Sequence, residues 1–183
     1  MTDSISHSYP TLAANPHLLS LLLSIEPTQA KSVAAKQKIY VDSLVDITVQ
    51  AIHTIWPQPI VSHKPVASLT TFLRHILKYS RTTHSTLQLA IFYLFRARTK
   101  IQKNKQDGVA SCGRRMFLAA LICAHKYLQD KTYKNVAWSK VSGLKVAHVN
   151  VAEKTMLQLL DWQLHVKKET YDQWLSMLQT HLV

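Results

Sequence analysis

Two residues in this chain sit where their chemistry needs an explanation, Lys126 and Glu153. Lys126 comes just after Met116–Ala124, a run of nine consecutive apolar residues, and His125. Glu153 lies in a segment with helical spacing. At ~100° per residue, Val149, Ala152, Met156, Leu157, Leu160 and Leu164 share one arc, and Glu153 projects inside it. Lys154 and Asp161 fall on the solvated side. A carboxylate buried ionised and unpaired costs several kcal/mol, so Glu153 must sit at a rim, meet a cation or receive hydrogen bonds. A lysine from a neighbouring helix meets that need and keeps N–H donors for the carbonyls of a second protein. Blander readings exist for both residues. A lysine in a helix's last turn complements the macrodipole, and Asn150-Val151-Ala152-Glu153 has the spacing of a capping box.

Other groupings point to no reaction. Asp and Glu number ten and are scattered, and no nucleophile–base pair can be read from spacing. None of the ten histidines stands three or four residues from another, so no helix presents a zinc-binding pair. Three glycines, Gly108, Gly113 and Gly143, cannot spell a phosphate-binding loop. Cys112 and Cys123 form no C-x-x-C and read as reduced thiols. No cofactor and no metal are expected. Arg96, Arg98, Lys100, Lys103 and Lys105 make a basic run that reads as a solvated loop, or else as an attractor of acidic substrates or phosphate. The formal charge of +12 favours acidic partners: nucleic acid, an anionic membrane surface or an acidic protein face.

The elements that would position these residues are helices. With 47% hydrophobic residues and few glycines, the composition suits an all-α protein. The stretch 113–129 reads as one helix, capped by Ser111 and apolar all round. It is too short to cross a bilayer, which takes ~20 apolar residues, so other helices must sheathe it, with Ala119, Ala120 and Ala124 allowing close approach. Leu18–Ile25 reads as a short leucine-rich helix rather than a signal peptide, because Asp3 and no cation precede it. Residues 31–56 read as a long helix with Tyr40, Val41, Leu44, Thr48, Ala51, Ile52 and Ile55 on one face, followed by a linker over 58–66. Leu69, Phe72, Leu73, Ile76 and Leu77 mark a helix capped by Ser68. Further helices are expected over 86–99, 137–141 (ended by Gly143), 150–164, and around Tyr171, Trp174, Leu175, Leu178 and Leu182, with 100–112 a basic loop.

Three stretches then carry a family resemblance. They are Ser85-Thr86-Leu87-Gln88-Leu89-Ala90 with Tyr93-Leu94-Phe95-Arg96; Cys112 to Ala120; and Lys126-Tyr127-Leu128-Gln129-Asp130 leading to Ala137-Trp138-Ser139-Lys140-Val141-Ser142-Gly143-Leu144. On these the sequence resembles the cyclins, and most closely the PCL-type fungal cyclins, over Leu69–Leu164. The resemblance implies a regulatory subunit that binds and activates a cyclin-dependent kinase, the fungal kinase first known from phosphate signalling, and helps direct its choice of substrates. It implies a kinase interface at Lys126 and Glu153, with Tyr127, Leu157, Trp162 and Leu164 as its apolar surround. The sequence departs from cell-cycle cyclins in two places. Leu69–Leu77 lacks their M-R-A-I-L motif, and Trp162 stands where they commonly carry phenylalanine. The stretch after Leu164 is too short for a second five-helix repeat.

The expected architecture is therefore all-α, a single five-helix cyclin box with an N-terminal helical arm and a C-terminal helix. Its expected divisions are a tail with the leucine-rich helix (1–30), a helix and linker (31–65), the box (66–166) and the last helix (167–183). Leu18–Trp56 is expected to pack outside a core already closed by the five box helices. The expected partners are the kinase, as a heterodimer, and its substrates, with no membrane, and the expected location is nucleus and cytoplasm. The alternative from another class is a cyclin-fold module that binds nucleic acid. It would lose affinity steeply with salt and prefer a sequence.

Overall fold

The computed structural model describes residues 27–57, 67–103 and 108–180, and every regular element among them is a helix. These are α1 (Pro27–Ile55), α2 (Leu69–Ser80), α3 (His84–Lys103), α4 (Gly113–Leu128), α5 (Asn135–Ser142), α6 (Val146–Leu159) and α7 (Lys168–Thr180). A compact unit begins at Tyr40 and takes in the described residues beyond it, and the part of α1 before Tyr40 falls outside that unit. The leucine-rich segment 18–25, the linker 58–66 and Lys105 lie outside the described residues.

The central helix is α4. Every residue from Met116 to Ala124 is fully or almost fully buried. It packs chiefly against α3 and α6, while α5 bridges α2 and α6. A helix that is apolar all round has nowhere else to go in water. The five helices from α2 to α6 correspond to the five expected between Leu69 and Leu164.

Several boundaries follow the anticipated caps. Ser68 Oγ accepts a hydrogen bond from the Thr71 N–H at 3.1 Å and opens α2. Gly143, at φ +73°, closes α5 in the left-handed region that glycine enters without strain. Cys112 rather than Ser111 precedes α4, and its side chain makes no capping bond. Two helices differ more. α3 continues to Lys103, four residues beyond the expected end, because Ala97 and Ile101 bury themselves along the stripe begun by Leu94. Lys100 and Lys103 then complement the C-terminal end of its dipole. The expected basic loop is thus partly helix. α6 starts four residues before Asn150, its first turns anchored by the buried Val149.

The expectation that Leu18–Trp56 lies outside the core is corrected for its second half. Leu44, Val45, Ile52 and Ile55 of α1 belong to the same buried cluster as α2 to α6. The Trp56 Nε1–H donates to the Ala110 carbonyl at 2.9 Å, and Asp42 pairs with Arg74 of α2. Where the end of α1 crosses the start of α4 there is no space for a side chain. A Cβ at Gly113 would stand 2.8 Å from Ile52 Cγ2 and 3.2 Å from the Trp56 ring. Neither a β-branched chain nor an indole yields easily, so Gly113→Ala should destabilise the fold by about 1–3 kcal/mol, read from the urea unfolding midpoint. An unchanged midpoint would mean that the crossing is loose.

Candidate functional site

Lys126 and Glu153 meet. Lys126 sits in the last turn of α4 and Glu153 in the middle of α6. The Lys126 Nζ lies 2.7 Å from Glu153 Oε1, with the two side chains 34% and 15% exposed. That is the rim position the apolar arc required, paired with a cation from the central helix. A third residue completes the arrangement. Asn135, the first residue of α5, accepts from Lys126 Nζ through Oδ1 at 2.9 Å. Its Nδ2 donates to Glu153 Oε2 at 2.6 Å and to Asn150 Oδ1 at 2.8 Å. Both carboxylate oxygens therefore have donors. Among the described residues the ammonium spends two of its three N–H groups.

This geometry removes one of the bland readings. α6 begins at Val146 after Lys145, so Asn150 and Glu153 lie inside the helix and cannot form its capping box. The Asn150 side chain accepts from Asn135 instead. Asn135 itself carried no sequence signal, because its role depends on how α5 approaches α4 and α6.

The remaining expected site residues lie on α4, on α6 and on the segment that follows α6. Leu157 is half-buried one turn beyond Glu153. Trp162 and Leu164 do not continue α6 as expected; they lie on a strap, residues 160–167, that leads to α7. The chain turns there because the Asp161 N–H bonds to the Gln158 carbonyl at 3.0 Å and the Trp162 N–H to the Leu157 carbonyl at 2.8 Å, a Schellman closure. The closure places both Asp161 (φ 53°) and Trp162 (φ 60°) in left-handed backbone. Trp162 is 63% exposed, while Leu164 is half-buried and its carbonyl accepts from the Tyr93 hydroxyl at 2.8 Å. Tyr127 is also exposed, and its hydroxyl lies 3.3 Å from His165 Nδ1 on the strap. The end of the central helix thus carries a half-buried ion pair followed by the exposed Tyr127, while Trp162 stands exposed on the strap.

The basic run is rearranged as well. Arg96 is not loop: its guanidinium covers the Phe92 ring at 4.8 Å and reaches the strap carbonyls of Gln163 and His165. Lys100 pairs with Asp161. Among the described residues no group of three His, Cys, Asp or Glu is placed to hold a metal, and no helix is long and apolar enough to cross a membrane. A cavity lined by Ile52, Trp56, Ala110 and Arg114 lies by Gly113, at the far end of α4 from Lys126.

Two neighbours in α4 are tuned by burial. Desolvation, reinforced by the Glu153 charge, pushes the Cys123 thiol up to about 12, so it stays protonated and unreactive. His125 is only 5% exposed. It stacks on Tyr133 and meets the Trp138 ring edge-on, and burial lowers its pKa. Below about pH 6.5 the unfolded chain takes up this proton before the folded chain does. Stability is therefore complete above the unfolded value and is lost as pH falls from there towards the folded value. The urea midpoint should drop between pH 7.5 and 5.5, and the drop should be smaller in His125→Phe. Equal pH dependence in the two proteins would assign the effect to other groups.

A helical box built round one buried rod, with every regular element among the described residues a helix, is an architecture of the cyclin-box type. The chain belongs to the cyclin family, whose model matches residues 15–164. That match begins well before Leu69, in keeping with the contribution of α1 to the core. The chain is 39% identical over 114 residues to the G1/S-specific cyclin pas1 of Schizosaccharomyces pombe, covering 62% of this chain and 28% of that protein. It is 29% identical to PHO85 cyclin-5 of Saccharomyces cerevisiae over 110 residues, 58% of this chain and 48% of the relative. PHO85 cyclin-1 of the same yeast is 34% identical over 104 residues, 56% of this chain and 37% of the relative. The chain thus spans between about a quarter and a half of the length of these relatives.

Proposed function

We propose that this chain is the regulatory subunit of a cyclin-dependent kinase of the type that partners the PHO85 cyclins. It binds and activates that kinase as a heterodimer, in nucleus and cytoplasm, helps select its substrates and catalyses nothing itself. The observation that carries this reading is the Lys126–Glu153 pair braced by Asn135. The pair is held by Asn135, the exposed Tyr127 follows Lys126 in the chain, and the exposed Trp162 stands on the strap after α6. Such a surface suits the end of a helix and its flanking carbonyls. Activation is then a population shift. The cyclin binds better to the kinase form whose regulatory helix is swung in, and that difference in affinity sets the fraction active. The swing seats the helix's glutamate against the active-site lysine, and the kinase supplies the catalytic groups, ATP and Mg²⁺. Lys126, Tyr127, Glu153, Leu157, Trp162 and Leu164 form the kinase-facing surface.

The test is reconstitution with purified PHO85 kinase. Adding the chain should raise the rate of phosphoryl transfer saturably, at a concentration matching the dissociation constant. Absence of binding, together with tight salt-sensitive binding to duplex DNA, would favour the nucleic-acid alternative instead.

A further inference from the structure

We infer that Tyr93, Arg96 and Lys100 of α3 form a positioning stripe that fixes the strap 160–167 and thereby presents Trp162 to the partner. The inference rests on the reading of the α4–α6 end as the kinase-binding surface, and it assigns work to residues outside that surface. Positions 93, 96 and 100 follow i, i+3 and i+7, so their side chains share one face of α3. All three reach the same strap. Lys100 pairs with Asp161. Arg96 Nη1 donates to the Gln163 carbonyl at 2.5 Å, and both of its terminal nitrogens lie 3.4 Å from the His165 carbonyl. The Tyr93 hydroxyl, on a fully buried ring, donates to the Leu164 carbonyl at 2.8 Å. Three successive strap carbonyls are thus taken by side chains of one helix. Arg96 is held in turn by the Phe92 ring beneath it. On the far side the strap meets Tyr127, next to Lys126, through His165.

Trp162 shows why such bracing is needed. Two consecutive non-glycine residues in left-handed backbone are uncommon, and a bulky one is strained there. Strain of this kind persists where surrounding contacts over-determine it. Trp162 gains little from its own burial, since its side chain stands in water. The bonds to its neighbours Asp161, Gln163 and Leu164 hold the turn that projects it. Arg suits the task better than Lys because its planar fork serves two carbonyls at once.

The contrasting role is purely structural: the stripe would only tie α7 to the box, and its loss would lower stability without a specific effect on binding. Full-length Arg96→Ala and Arg96→Lys separate the two. In Arg96→Ala, the amides of Trp162 and Gln163 should exchange with solvent at least tenfold faster, while amides of the α4 core keep their protection. PHO85 binding should weaken about tenfold, and Arg96→Lys should recover part of both losses. If Arg96→Ala does not fold, Arg96→Lys alone should still show faster strap exchange and several-fold weaker binding. Unchanged strap exchange in folded Arg96→Ala, or in Arg96→Lys where Arg96→Ala does not fold, overturns the positioning role outright. Faster exchange with wild-type affinity, in an assay where Glu153→Ala loses affinity, overturns the presentation of Trp162 and leaves the kinase reading intact. If Glu153→Ala and Arg96→Ala both bind as wild type, the kinase-binding surface itself is misplaced and the inference falls with it.

Discussion

Glu153→Ala weakens kinase binding by about 2–5 kcal/mol and leaves the chain folded; that is the expected result of removing one member of a desolvated, hydrogen-bonded charge pair. The substitution takes the carboxylate from Lys126 Nζ and from Asn135 Nδ2 together. Lys126 keeps only Asn135 Oδ1 to hold it, and its remaining donor loses the fixed direction that a partner carbonyl would meet. Lys126→Ala acts on the same unit from the other side, leaving Glu153 with one donor in a site only 15% open to water. The double variant should therefore lose less than the sum of the singles. Effects on folding are smaller for Glu153→Ala, because the Lys126 side chain is 34% exposed and water can solvate its ammonium once the carboxylate is gone. A hydrogen bond to a charged group is worth about 1.5–3 kcal/mol when well buried, and less at a rim where water screens it. The thermal midpoint and the PHO85 dissociation constant, measured on the same preparations, separate binding from folding. Two stable single variants that bind as tightly as wild type would remove the pair from the interface.

The sequence made part of this site legible and hid the rest for identifiable reasons. Glu153 could be placed because a carboxylate inside an apolar arc contradicts its surroundings, and Lys126 because a fully apolar helix must surface somewhere. Both are local signals, and helical periodicity preserves them even when the start of α6 is misjudged by a turn. Asn135 could not be found that way. An asparagine at the start of a short helix is ordinary, and only the convergence of α4, α5 and α6 gives its amide three partners. Arg96 was concealed by its company, since a run of cations reads as solvated. The discordant feature was its neighbourhood: Phe92, Tyr93 and Phe95 precede it, and Ala97 and Ile101 continue the buried stripe. The strap is illegible because its geometry comes from two left-handed residues that are not glycine. Without Gly or Asn after Leu160, nothing in the sequence marks the end of α6, and the apolar spacing runs on through Leu164.

Removing residues 1–56 should leave a chain that does not fold cooperatively, whereas removing 1–30 should leave one that does. The difference lies in the second half of α1. Its apolar face was readable at helical spacing, but five helices looked sufficient to close a core without it. In the fold, Leu44, Val45, Ile52 and Ile55 are each no more than 4% exposed. Full burial of such a side chain contributes roughly 1.5–3 kcal/mol, so the four together are worth on the order of 6–12 kcal/mol. A domain of this size is stable by about 5–15 kcal/mol in total, so the loss is comparable to the whole. The buried faces of α2 and α4 beneath them would also be opened to water, with Gly113 exposed where Ile52 and Trp56 now press. The shorter deletion ends before Tyr40, where the compact unit starts, and touches none of these contacts. Near-UV dichroism and a thermal melt distinguish the outcomes: the 31–183 chain should keep fixed aromatic signals and a sharp transition, and the 57–183 chain should show neither. Leu44→Ala in the full chain gives a graded version of the same test, with an expected loss of about 2–5 kcal/mol. A sharp melt from the 57–183 chain would show that α2 to α6 close the core by themselves.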